Sequence, residues 1–237
     1  MNTLDLLWLA WPWIGFGGGL AVLVLLCTNH LRSDVSKSRW KDVVWLSWLM
    51  VLIYLVHVCE EYGMHIVDGQ FYMVQSFIDS GTSARFGGIP MYFFPYVNIV
   101  FTWIALPIAA VLSKKNPIIG LSGIGFLLVN GITHLGACIT GGTSPIASPG
   151  SVSGIFAFIP FFVWEVYICK KDNLLPKKGL GIAIASGVIG HALLFSMYLL
   201  NKVAGHTAAA TYVPIVTFSP LIVAWLLCKA LRIKVKS

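Results

Sequence analysis

Charge is what this chain has least of. Only 11% of its 237 residues are Asp, Glu, Lys or Arg, against about 25% in soluble globular domains, while 57% are hydrophobic and the mean hydropathy is +0.83. Such a chain has too little polar surface to cover a soluble fold, so a polytopic membrane protein is expected. No Lys or Arg precedes Arg32, so the basic n-region of a cleaved signal peptide is missing. The apolar run 6–28 is also too long for one and reads as a membrane helix. The five cysteines (Cys27, Cys59, Cys138, Cys169, Cys228) include no Cys-x-x-Cys pair. That argues against a thiolate zinc site or a disulfide framework and leaves them as small core residues. No internal repeat is found, which weakens an alternating-access transporter or a sensor built like one. No strand precedes Gly15, Gly17, Gly18 and Gly19, so they read as sites of close helix approach and not as a phosphate loop.

What the chain does have is long apolar runs. Windows of about 20 residues pick out seven, at 6–28, 43–64, 91–112, 117–139, 151–169, 179–200 and 211–230. The expected fold is all-α: one domain over 1–237, a bundle of seven transmembrane helices. Arg32, Lys37, Arg39, Lys41, Lys114, Lys115, Lys170, Lys171, Lys177, Lys178, Lys229, Arg232, Lys234 and Lys236 fall on one side of that arrangement. Only Arg85 and Lys202 fall on the other, so the N-terminus is expected outside and the C-terminus in the cytoplasm. The net charge of +7 is therefore a matter of topology and does not point to nucleic acid. Trp8, Trp11 and Trp13 are expected to form an interfacial belt, and Pro95, Pro107 and Pro160 to kink their helices. The loop 65–90 is the longest connection and is read as a potential lid, and 140–150 reads as a turn-rich outer cap.

The second run ends in a stretch lipid would not tolerate. His57, Glu60 and Glu61 stand at i, i+3 and i+4 on one helical stripe that His65 and Asp68 continue, and buried carboxylates cost roughly 2.5–3.5 kcal/mol each on insertion scales. They must turn inward. Counting 1.5 Å per residue from the cytoplasmic ends, His57 lies at about 21 Å, Glu60 and Glu61 at about 26 Å, Asn130 at about 20 Å, His134 at about 26 Å and His191 at about 18 Å. Asn98 falls near the same level, so a polar layer in the outer half of the membrane is expected. Glu165 lies low and is expected to partner Lys170 and Lys171 or a kinked neighbour. His65, Asp68 and His206 are read as solvent-exposed loop residues.

The string His57-Val58-Cys59-Glu60-Glu61-Tyr62 resembles the signature of the HXXEE domain family of bacterial integral membrane proteins. Asn130-Gly131-Ile132-Thr133-His134 is similar to that family's second element, and Ser148-Pro149-Gly150 to the Pro-Gly that follows it. The likeness extends over about 43–230. It implies the helical membrane fold, a place in a bacterial inner membrane and the choice of site residues, but no reaction.

Two imidazoles with one or two carboxylates suit a divalent metal, zinc or iron above all. His57, Glu60 or Glu61, His134 and His191 are the candidate ligands, the remaining glutamate serving as catalytic base and Asn130 and Asn98 supporting from behind. The reading is a metal-dependent enzyme acting on a lipidic or other hydrophobic substrate, hydrolase and oxidoreductase both open. Six histidines are too few for the clustered pairs of fatty-acid-hydroxylase enzymes. The alternative is a metal-free acid–base isomerase of a lipid or isoprenoid, in which tryptophans near the pocket stabilise a developing cation.

Overall fold

The computed structural model describes residues 3–63, 87–88 and 92–233. Among these, six helices are long and apolar enough to cross a membrane: α1 (Thr3–Cys27), α2 (Val43–Tyr62), α3 (Phe93–Leu112), α4 (Pro117–Gly141), α5 (Ser151–Lys171) and α6 (Lys177–Ala230). The expected loop 65–90, with His65 and Asp68, lies outside the described residues apart from Gly87 and Gly88.

At 54 residues, α6 would be roughly 80 Å long if straight, far more than a bilayer core of about 30 Å. It is not straight. Gly205 takes φ 82° and ψ 174°, a backbone that side chains disfavour, and the chain reverses there. Gly190 of the first arm then lies against Pro220 of the second, so close that an added Cβ would sit 2.7 Å from the ring. The runs 179–200 and 211–230 are thus joined through helix and a single bend, and the polar residues between them, Asn201, Lys202, His206 and Thr207, sit at that bend rather than in a separate loop. His206, exposed beside the bend, donates a hydrogen bond from Nδ1 to Asn201 Oδ1 at 2.7 Å.

Two prolines act through the turn that precedes them. The helix widens into π-type turns at Val100–Ala105 and Gly154–Phe158, immediately ahead of Leu106-Pro107 and Ile159-Pro160. A proline gives no N–H and crowds the carbonyl one turn back, and a wider turn absorbs both defects. Pro95 instead falls in the first turn of α3, where a missing N–H has no intrahelical partner to lose.

The basic end of the bundle is knitted by polar contacts. Asp42 caps α2 through Val44 N at 3.0 Å and Trp45 N at 3.3 Å, and also accepts from Ser33 N at 2.7 Å. Lys41 pairs with Asp172 at 3.0 Å, and the Trp164 indole donates to the Trp40 carbonyl at 3.1 Å. These contacts hold the loop after α1 and the end of α5 at one level.

Three expectations need correction. Trp11 is not part of a belt: it is buried, with its ring 5.4 Å from that of Tyr62, while Trp13 faces outward. The glycines of α1 divide by face. Gly15 packs on Trp103 and Gly19 on Leu55, whereas Gly17 and Gly18 meet nothing within 4 Å. Glu165 forms no ion pair with Lys170 or Lys171. Five and six positions on, those lysines point away from its side of the helix, and Lys171 bonds Tyr167 at 2.8 Å while both Glu165 oxygens stay buried without a partner.

Candidate metal centre

Three pieces of chain converge at the end opposite the basic loops: the last turns of α2, the outer half of α4, and the start of α5. The i, i+4 spacing puts His57 and Glu61 on one stripe of α2, with Nε2 and Oε2 3.3 Å apart. His134 comes across from α4, its Nε2 3.8 Å from the other Glu61 oxygen, and the two imidazole rings stand edge to face at 5.0 Å. His57 has no exposed surface, and Glu61 and His134 are each 8% exposed.

The segment after α4 closes this group. Gly142 ends α4 in the left-handed region, one tight turn covers Pro145–Ala147, and Gly150, at φ 74°, turns the chain into α5. Gly150 lies flat on the site: a Cβ there would sit 2.7 Å from His134 Cε1 and 3.0 Å from His57 Cε1. Gly154 approaches His134 on the next turn, where an added Cβ would sit 3.1 Å from Cδ2. The Ser148-Pro149-Gly150 element therefore serves as a lid of backbone, placed where side chains would not fit.

Glu60 and Glu61, adjacent in sequence, go to different places. Successive helical residues diverge by about 100°, so only one can face His134. The Glu60 carboxylate takes Val152 N and Ser153 N, both at 2.8 Å, together with the Ser153 hydroxyl in a short hydrogen bond. It caps α5 from another helix, where the free N–H groups and the helix dipole favour an anion.

That cap fixes the imidazole tautomers. The Ser153 hydroxyl has one proton and gives it to Glu60, so towards His57 Nδ1, 2.9 Å away, it can only accept. His57 therefore carries a proton on Nδ1 and turns Nε2 to Glu61. Ser151 repeats the pattern at longer range, donating to Ser148 at 2.9 Å and standing 3.4 Å from His134 Nδ1. Two imidazole Nε2 atoms and a carboxylate thus face one another in a buried space. Groups of that kind repel unless a cation or a proton lies between them.

One ligand atom from each of His57, Glu61 and His134 lies within 4.8 Å of the others. Bonds of 2.0–2.2 Å in tetrahedral array put ligand atoms about 3.4 Å apart, so small side-chain movements would close the set on a zinc-sized ion. The hydroxyls behind each Nδ1 are the outer support that metal-bound histidines use.

On its open side the group borders a cavity of about 340 Å³. Glu61, His134, His191, Asn98 and Asn130 share its wall with phenylalanines and tyrosines from four helices. His191 is held between Phe126 at 4.6 Å and Phe195 at 5.0 Å and stays outside the three-residue group, its Nδ1 unpartnered. Asn130 keeps a buried Oδ1 without a partner, and Asn98 donates to the Phe94 carbonyl at 2.9 Å. No tryptophan is among the lining residues, so the aromatic walls come from Phe and Tyr. Sequence reasoning missed Ser151, Ser153 and Gly154, although a Ser/Gly-rich stretch entering an apolar run was a visible signal for a polar helix start.

A family described as a protein of unknown function with HXXEE motif matches residues 48–165, a span that holds His57, Glu60, Glu61, His134, Gly150 and Ser153. No curated protein and no solved structure matches.

Proposed function

This chain belongs to the HXXEE family, and we propose that it is a metal-dependent membrane enzyme whose centre is His57, Glu61 and His134, acting on a hydrophobic substrate held in the adjoining cavity. The observation that carries this reading is the meeting of two imidazole Nε2 atoms and a carboxylate oxygen, buried and within 4.8 Å of one another. Bound there, a zinc or iron ion would supply a Lewis acid with an open position towards the cavity.

The chain's own residues do the rest. Ser153 and Ser151 orient the imidazoles, Glu60 holds Ser153 and the start of α5 in place, and the aromatic walls keep water out. Glu60 is thus a positioning residue, its oxygens taken up by α5 and not facing the cavity. The basic ends of the helices and the reversal at Gly205 support seven crossings with the N-terminus outside, which sets the centre in the outer half of the membrane.

Elemental analysis of detergent-purified protein tests the reading. About one equivalent of zinc or iron is expected in the wild type and none in His57→Ala, Glu61→Gln or His134→Ala of unchanged helical content. Wild-type protein that takes up neither metal on titration would overturn it in favour of the metal-free isomerase.

A further inference from the structure

Helices α4 and α6 touch most closely at Gly125 and Gly187. An added Cβ at Gly125 would lie 2.0 Å from the Ile184 carbonyl oxygen, and one at Gly187 2.3 Å from Phe126 N. No side chain separates the backbones there. Towards the His/Glu centre a cavity is lined by residues of both helices. Thr133 and Ala137 of α4 and Phe195 of α6 line the cavity, yet each is also exposed on the outside of the bundle, Phe195 by 50%. A residue with one side on a cavity and the other on the exterior marks an opening.

What lies outside that opening is settled by its neighbours. Ile132 is 53% exposed, Ile139 71% and Leu199 55%, all on the same stretches of α4 and α6. In a helix long and apolar enough to cross a bilayer, such side chains meet acyl chains and not water. The inside differs in kind. Glu61, His134, Asn130 and His191 gather polar atoms on the cavity wall, while the slot itself offers a methyl, a hydroxyl and a phenyl ring.

We infer that the slot between α4 and α6 is a lateral doorway, and that the substrate is a membrane amphiphile. Its polar end sits against Glu61 and His134, and its hydrocarbon chain leaves between Ala137 and Phe195 into the surrounding lipid. A cavity of about 340 Å³ is at the small end for a whole ligand, which suits a molecule only partly enclosed. The inference names the substrate class for the proposed centre, but the doorway exists whether or not a metal binds.

Photo-crosslinking in lipid nanodiscs tests it, with a diazirine-bearing phospholipid and a diazirine-bearing fatty acid as separate probes and peptide mapping of the adducts. Adducts are expected to concentrate on 133–137 and 194–198. Ala137→Trp, which plugs the slot, is expected to reduce them several-fold, Phe195→Ala to increase them, and Ile139→Trp, exposed but off the cavity, to change nothing. Labelling that follows exposure all around the bundle and ignores Ala137→Trp shows ordinary surrounding lipid and overturns the doorway. Repeating the mapping in His134→Ala separates the two readings. Lost metal with retained slot labelling leaves the doorway standing, and bound metal without slot labelling removes the doorway alone.

Discussion

Ser153 is the residue on which the centre's protonation pattern turns, because one hydroxyl both donates to Glu60 and accepts from His57. Ser153→Ala is expected to weaken metal binding about 10- to 100-fold in a competition titration, with the protein still folded. Glu60→Ala acts differently: it strips the cap from α5, and a loss of about 1–2 kcal/mol in thermal or denaturant unfolding is expected. The stripe at His57, Glu60 and Glu61 was legible from spacing, and so was the approach of His134 from another helix at similar height. The separation of the two glutamates was not, because their roles depend on a partner ninety-odd positions away that no local rule points to. Glu165 shows the reverse error. Proximity in sequence suggested a lysine, but burial leaves it without one, so Glu165→Leu is expected to hold or raise the unfolding temperature, since an unsatisfied buried polar group costs on the order of 1–3 kcal/mol.

Among elements, the start of α5 is built around backbone that tolerates no side chain. Gly150→Ala is expected to cost about 1–3 kcal/mol, from its positive φ and from the methyl driven against His134 Cε1, and to lower metal content in the same preparation. Loop one has its own electrostatics. The Asp34 carboxyl is held down at about 2, first by the Ser36 side chain and then by Lys37. A depressed acid contributes to the fold above its unfolded value near 3.8 and loses that contribution as pH falls towards 2. An NMR titration of Asp34 in the wild type and in Ser36→Ala checks this, the midpoint rising in the variant. Hydropathy made the helices legible, but the π-type turns were not. A proline announces that a carbonyl must be freed, but which wider turn absorbs the defect depends on packing against neighbours that composition does not show.

For the whole molecule, apolar runs made an all-helical bundle legible and basic loops an expected direction for it, and the structure supplies the joining of the last two runs. With seven crossings, a reporter fused after the C-terminus is active only in the cytoplasm, and one inserted beside Lys202 only on the far side. Six crossings would place both on one face. The tight reversal at Gly205 has a consequence for biosynthesis. The arms on either side of it are separated only by a few residues around the bend, Asn201, Lys202, His206 and Thr207 among them, too short a hydrophilic stretch to form a loop of its own. If both arms cross, they are expected to enter the bilayer as one hairpin, already folded back on each other, so that the wall that α6 gives the cavity forms in a single insertion event.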